Sequence, residues 1–470
     1  VLRENGANVS CFLPHRFDDG YGMTAETLGK ALAESSCSLI ITVDCGISAH
    51  DAVNLAAEKR IDVIISDHHE PSETLPRALS IVNPKLHPSL KNLHILAGVG
   101  VAFKLAHGFI KMGRKKSFCG NEYDLRKDFD LVALGTVADL VPLIGENRIM
   151  VSRGLKRLSE QIRPGINALC EASKIFDEVR SSDITYSLSP RLNAAGRLEN
   201  AIIAFKMLVE RDRISAVRFA EEINQLNIRR QEKEGEISRQ VQAEIEKIKD
   251  VDSAASIVVH GEDWNLGVIG IVASKISKEF SRPTIIFSVK GDIAHGSARS
   301  VDNMNILELL SESSSMLERY GGHAMAAGLA IKTSKLCEFR EHFEESVKKR
   351  STDYSRKPKI NIDGIVDLSD MNEEFFKEIP RLEPFGYGNN SPSYRINRLK
   401  IKQVMPAANI HSRGILFDEK NRELPFIAFH CGTDELQGIE MFDVAATPQL
   451  NNFRGKISPQ LQIHDFKPSC

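Results

Sequence analysis

An apolar run, Ile61-Asp62-Val63-Ile64-Ile65-Ser66, ends in Asp67-His68-His69. A short run rich in β-branched residues reads as a buried parallel strand, and parallel strands need helical crossovers between them. Three side chains able to bind metal or carry protons then emerge where a strand ends, which in open α/β sheets is the edge where ligands sit.

The residues upstream repeat the pattern. Ser38-Leu39-Ile40-Ile41-Thr42-Val43 predicts a second strand ending in Asp44-Cys45-Gly46, and Ser48 to Arg60 predicts a Ser-capped helix packing through Ala52, Val53, Leu55, Ala56 and Ala57. Two carboxylates and two imidazoles are thus expected to face one cleft. Downstream, Leu131 to Leu143 carries one acid, Asp139, inside an apolar run, where an unpaired carboxylate is costly and a cation would remove the cost. A lone Asp at a strand end is usually a cap or turn residue. Consecutive histidines after a buried strand's Asp are harder to explain by packing, and with Asp44 and Asp139 they point to a metal site.

At 470 residues the chain has material for two to four domains. Its 61 Lys and Arg against 63 Asp and Glu give no global basic field, so a nucleic-acid partner would be held by local patches or metal ions. Cysteines at 11, 37, 45, 119, 170, 337, 431 and 470 contain no Cys-x-x-Cys pair, which argues against a zinc ribbon or a disulfide framework and fits a reducing cytoplasm. No apolar run is long enough for a bilayer and no basic-then-apolar leader opens the chain, so a soluble, cytoplasmic protein without membrane contact is expected. Val1 to Ser10 reads like a last helical turn and a stop before a strand over Val9 to Leu13, as though the chain began inside a domain.

Further expectations follow in chain order. Pro14-His15-Arg16-Phe17 and Gly20-Tyr21-Gly22 form a loop in which His15 and Arg16 are candidates for phosphate contact or plain solvation, and Thr24 caps a helix to about Ser36. Strands and helices alternating through the first 160 residues indicate an α/β fold with a doubly wound parallel sheet. Ser189-Pro190-Arg191-Leu192-Asn193-Ala194-Ala195-Gly196-Arg197 sets two arginines and an Asn among small residues, suited to a phosphodiester. Ile214 to about Lys249 predicts a long polar helix connecting two domains. A second α/β unit follows, with a strand ending in Arg299 and Ser300, a Gly-rich loop at Gly321-Gly322-His323, and Trp264 expected to pack. Ser351 to Lys359 reads as a linker, and about five short β-rich runs after Arg395 predict an OB-type barrel with Arg395, Arg398, Lys400 and Lys402 on one strand. The domain division is therefore 1–200, a connecting helix over 201–250, 251–350 and 355–470.

Val43-Asp44-Cys45-Gly46, Ser66-Asp67-His68-His69, Gly135 to Leu143, Arg191 to Arg197 and Gly321 to Gly328 resemble, in order, motifs of the DHH/DHHA1 phosphoesterases. The closest likeness is to their single-strand-specific 5′→3′ DNA exonucleases, and Pro14 to Gly22, Trp264 to Ala273 and Leu382 to Asn389 share it, so the resemblance covers essentially the whole chain. It implies a doubly wound DHH domain, a connecting helix, a DHHA1 domain and an OB barrel, and a site of two Mn²⁺ or Mg²⁺ ions that activates water for in-line attack on a phosphodiester. By motif match Asp44 would bridge the ions, His68 and Asp139 would complete one of them, His69 would touch the scissile phosphate, and Asp67 would orient a histidine. Arg191, Asn193, Arg197, Arg299, Ser300, Gly321, Gly322 and His323 fall in motifs that line the strand's path. The resemblance also implies DNA repair and recombination work on single-stranded DNA by a monomer, with a helicase and a single-strand-binding protein as candidate assistants.

One departure stands out. The family's earlier Asp-x-Asp-Gly strand, whose acids serve the other ion, has no counterpart before Asp44. Loss of an N-terminal part is the expected explanation, ahead of a metal-poor relative used as a binding scaffold, and these residues alone are then expected to hydrolyse DNA poorly. The alternatives are a metal-poor scaffold that binds single strands without cutting, a DHH phosphodiesterase on short RNA or nucleotides, and an inorganic pyrophosphatase, for which the second domain and the barrel would have no role.

Overall fold

The computed structural model describes the chain apart from residues 16–18, 21, 118–122, 249, 252, 351–358, 408–410, 437–439, 454–455 and 470. Arg16 and most of the expected linker therefore lie outside the described residues. Strands β1 (Leu39–Val43), β2 (Asp62–Ser66) and β3 (Ser80–Val82) form a parallel sheet in the order β1-β2-β3. Helices cover both faces, because alternate residues point opposite ways. Val63, Ile65 and Ile81 pack with α1 (Ala25–Glu34) and α2 (His50–Glu58) through Leu28, Ala52, Val53 and Ala56. Val82 packs with Leu96 and with Val101 of α3 (Gly98–Lys116) on the other side.

Thr24 caps α1, its hydroxyl accepting from the Thr27 amide. Ser48 does not cap α2: the chain turns first, with the Ala49 amide donating to the Gly46 carbonyl, so the helix starts at His50 without a side-chain cap. The strand expected at Val9–Leu13 is absent. Residues 7–15 join no ladder, and with Ser10 and Cys11 exposed the segment gains too little burial to be drawn into the sheet.

A helical layer follows, made of α4 (Phe129–Ala138), α5 (Gly145–Ser159), α6 (Pro164–Ala172), the single turn α7 (Ser181–Asp183), a π-helical turn (Ile184–Leu188), α8 (Ser189–Leu198) and α9 (Ile202–Val209). Helix α10 (Arg213–Glu246) is about 50 Å long at 1.5 Å per residue. Its first half buries Ala216, Ala220, Ile223 and Leu226 in the helical core, and its second half buries Ile237, Val241 and Ile245 in the next one. It therefore connects two cores, as its narrow apolar stripe predicts.

The second α/β unit comprises β4 (Ile257–Glu262), α11 (Leu266–Phe280), β5 (Thr284–Lys290), β6 (Ile293–Arg299), α12 (Ile306–Glu312), β7 (Leu317–His323), β8 (Ala326–Lys332) and α13 (Leu336–Arg350), with sheet order β4-β5-β6-β8-β7. Trp264 is buried here and donates to the Gln240 side chain of α10. The segment expected as a Gly-rich loop is instead the β7–β8 hairpin, with Gly321 opposite Gly328 and His323 opposite Ala326. Its backbone runs extended against β8 as an edge strand and does not curl into an anion cradle. Gly322 has φ +148, and a Cβ there would fall 2.4 Å from the Ala326 carbonyl oxygen, so glycine permits the close pairing.

The last unit adds β9 (Gly364–Ile365), α14 (Glu373–Glu378), β10 (Tyr394–Ala407), β11 (His411–Phe417), β12 (Glu423–Ala428), α15 (Thr433–Leu436), β13 (Phe442–Phe453) and β14 (Lys456–Pro468). Pairing runs β11-β12-β14-β13-β10 and returns from β10 to β11, which closes a five-stranded barrel consistent with the OB fold. The basic cluster lies on β10 but not at an edge, and it is largely matched: Arg395 meets Asp443 at 2.6 Å, Arg398 meets Glu419 at 2.5 Å, and Lys402 pairs with Glu423.

One partly buried contact ties α13 to the residues just before β4. Glu344 accepts from the amides of Ala255 (2.7 Å) and Ser256 (2.8 Å) and from the Ser256 hydroxyl (2.6 Å). Burial would raise its carboxyl, but these donors, together with Lys348 at 3.2 Å, outweigh it and hold the pKa below the ordinary 4.5. A lowered carboxyl stabilises the fold above its unfolded pKa and loses that contribution as pH falls through the folded value. Glu344→Gln is expected to cost about 1–2 kcal/mol at pH 7. In thermal unfolding, the gap between variant and parent should narrow below about pH 4.

Candidate metal centre

The parallel register sets Val43 opposite Ser66, so the residues that follow each strand emerge side by side. The ladder continues for one more step, with the Asp44 amide donating to the Ser66 carbonyl and the Asp67 amide to the Val82 carbonyl. Asp44 sits at φ +63, a left-handed conformation in which Asp is enriched. Its carboxylate lies over the first turn of α3, and a Cβ on Gly98 would stand 2.2 Å from Asp44 Oδ1. Only glycine at the start of that helix leaves room for the acid.

His68 Nε2 is 3.0 Å from Asp44 Oδ1 and 3.6 Å from Asp139 Oδ2. Its Nδ1 lies 3.0 Å from the Leu96 carbonyl. A carbonyl can only accept, so Nδ1 carries a proton, and in the neutral ring Nε2 presents its lone pair to the two acids. Asp139 reaches them as the C-cap residue of α4, followed by Leu140 at φ +56. Burial raises the Asp139 pKa, and the nearby Asp44 raises it further. Donor atoms of Asp44, His68 and His69 all lie within 4.8 Å of one another.

Asp67 is 1 % exposed and turns away from this opening. It accepts from the Ile47 amide (3.0 Å), the His68 amide (2.7 Å), the His69 amide (3.2 Å) and His69 Nδ1 (2.7 Å). Burial pushes its carboxyl up, but these bonds bring it down to about 2. In return, the Asp67 hydrogen bond raises the His69 pKa. Across the cleft the His69 ring lies parallel to His323 of β7, centroids 6.1 Å apart and planes 10° apart. The structure thus joins Asp44, His68, His69 and Asp139 with a histidine of the second α/β unit.

The other expected residues lie on α8, at the end of β6 and on β7. Arg191 on α8 donates to Asn224 and to the Ser187 carbonyl, and Asn193 is exposed. Arg197 donates to the Gly267 carbonyl at the start of α11, linking the two units. Arg299 is held by Ser274, Ser297 and the Ala298 carbonyl beside Gly270 of α11. Ser300 is buried with its hydroxyl donating to the Met304 carbonyl. Gly321 and Gly322 lie on exposed β7. Sequence reasoning missed Gly98, the Leu96 carbonyl and the Ile47 amide. A glycine at a helix start is the one readable signal among these, since it lowers helix propensity without a local reason.

Residues 1–136 match the DHH family N-terminal domain, 252–349 the DHHA1 domain and 362–465 the RecJ OB domain. The chain is 36% identical over 476 residues to the single-stranded-DNA-specific exonuclease RecJ of Bacillus subtilis, covering 99% of this chain and 58% of that protein. Against the Escherichia coli protein of the same name it is 34% identical over 482 residues, covering 98% of this chain and 82% of that one. The crystal structure of RecJ in complex with Mn²⁺ from Thermus thermophilus superposes with a TM-score of 0.79 at 28% identity, over 94% of this chain and 63% of that one. The chain therefore spans less than two thirds of the Bacillus and Thermus proteins and about four fifths of the Escherichia protein. With its three matched regions in order and more than a third of its residues shared with RecJ along nearly its full length, this chain belongs to the RecJ family.

Proposed function

We propose that the chain carries the core of a single-stranded-DNA-specific 5′→3′ exonuclease that releases 5′-mononucleotides and serves DNA repair and recombination. The observation that carries this reading is the convergence of Asp44, His68 and Asp139 at a cleft that His69 and His323 face from opposite sides. The substrate class is the one printed for its relatives, and the barrel suits an unpaired strand. A monomer in the cytoplasm, acting with a helicase and a single-strand-binding protein, completes the proposal.

The donor set fits a hard or borderline divalent ion: two carboxylate oxygens and one imidazole lone pair converge, and burial together with the Asp44 charge makes Asp139 costly to ionise unless a cation lies between them. Mn²⁺ or Mg²⁺, when bound in a pair, supplies water activation and charge neutralisation at the phosphate. The Leu96 carbonyl keeps His68 in the tautomer that offers Nε2. Asp67 stays ionised and holds His69 by Nδ1, which orients the opposite ring nitrogen and favours an imidazolium able to donate to a phosphate oxygen. Arg191, Arg197 and Arg299 offer charge along the seam where the two units meet, with Asn193, Ser300 and the Gly321-Gly322-His323 strand beside the strand's path. These positions supply donors for one ion of the pair, so turnover by the 470 residues alone is expected to be slow.

Three measurements test the reading. Single strands labelled at the 5′ or the 3′ end, incubated with Mn²⁺ and protein in excess, should slowly yield mononucleotides from the 5′ end while duplex persists; release from the 3′ end only, or equal cutting of duplex, refutes it. Asp44→Asn should lower that turnover by more than about 100-fold. Gly98→Ala should weaken Mn²⁺ binding at least about ten-fold by calorimetry without lowering the unfolding temperature, because the added methyl takes the place of Asp44 Oδ1 while alanine favours the helix. Unchanged Mn²⁺ affinity would show that Asp44 is not a ligand.

A further inference from the structure

The segment leading into the barrel is fastened to the loop that follows Asp139. Leu382-Glu383-Pro384-Phe385 is held by Arg148, whose Nη2 reaches the Leu382 carbonyl at 2.8 Å, and by Ser181, whose hydroxyl donates to the Phe385 carbonyl at 2.5 Å. Asn389 adds side-chain bonds to the Leu382 and Pro384 carbonyls. The chain then makes a four-residue turn, Gly386-Tyr387-Gly388-Asn389, closed by paired backbone bonds of 2.9 and 3.0 Å. Its third residue, Gly388, has φ +74, the left-handed value that glycine adopts without strain.

Both glycines of this turn press on the site's own loop. A Cβ on Gly386 would come within 2.6 Å of Leu143, and one on Gly388 within 2.9 Å of Pro142. The Tyr387 carbonyl accepts from the Leu143 amide at 2.7 Å. Pro142 is three residues from Asp139, at most about 11 Å of chain away. Every residue of the turn is thus spent on docking except one side chain: Tyr387 projects 64% exposed. Leu140 and Ile144, on either side of the docked loop, are also exposed, at 62% and 45%.

We propose that Tyr387 is a substrate-contacting residue on which a base of the single strand stacks beside the loop that follows Asp139, with Leu140 and Ile144 forming the apolar margin of that platform. This rests on the nucleic-acid reading above and names a contact within it. A turn held this firmly, besides clamping the barrel's lead-in onto Pro142 and Leu143, presents its one exposed ring at little entropic cost to a flat group that covers it. Beside a site for phosphodiesters, the flat apolar group available is an unpaired base. Stacking on one face accepts any base but requires that it be unpaired and turned out of a duplex, so the residue would favour single strands without reading sequence.

The test uses the full chain, metal-free, and a 5′-phosphorylated oligothymidylate of about a dozen nucleotides, the length of one barrel's site. Tyr387→Trp adds a fluorophore at the platform while Trp264 stays buried as a constant background. Strand binding, followed by anisotropy of a label on the DNA, should quench the new emission, and a matching duplex should not. Tyr387→Ala should weaken strand binding about ten-fold, the loss of one base stack, and Tyr387→Phe should restore it. Tight strand binding with unquenched emission and an unaffected alanine variant would overturn the platform alone. No binding by the unaltered chain would overturn the nucleic-acid reading together with it.

Discussion

The buried carboxylate of Asp67 holds the site together. One oxygen takes the Ile47 amide from the turn after β1, and the other takes the His68 and His69 amides and the His69 ring. A carboxylate removed from water persists only when its lone pairs are filled by donors, and here they are. The same bonds lock the turn that carries Asp44 to the strand end that carries His68. Together with the Asp44 amide's bond to the Ser66 carbonyl, that lock keeps the side chains at positions 44, 68 and 69 at one opening.

Around this lock the molecule brings distant segments to one opening. Helix α10 is shared by two cores, so the second α/β unit is placed by the same rigid rod that completes the helical layer. That placement lets β7 lay His323 against His69 and lets Arg197 reach the turn before α11. The barrel's lead-in is clamped onto Pro142 and Leu143, which extends the loop of Asp139 into the third unit. The opening is bounded by His69 and His323, about 250 residues apart in the chain.

Much of the fold could be read from the sequence because it is written in local pattern. β-branched runs at 38–43 and 61–66, the Thr24 cap and the stripe of α10 each declare an element through propensity and periodicity. Failures came where pairing overrides local signal. Gly321 and Gly322 have the composition of a loop, yet β8 offers a complete ladder and the glycines let it come close. Val9 to Leu13 has the composition of a strand and forms none among the described residues. The charges of β10 read as one basic strand, but Asp443 of β13, Glu419 of the β11–β12 turn and Glu423 of β12 pair with them.

The sequence by itself determined which chemistry was possible: acids and imidazoles at the carboxyl ends of parallel strands, because hydrophobic alternation and strand-end position are encoded within a few residues. Only the tertiary structure decided which of them act together. The tautomer of His68 depends on the Leu96 carbonyl, the space for Asp44 on Gly98, the charge of His69 on a buried neighbour, and the outward ring of Tyr387 on a loop some 240 residues earlier in the chain. These are contacts between residues remote in sequence, fixed by the summed packing of whole units, and no local pattern contains them.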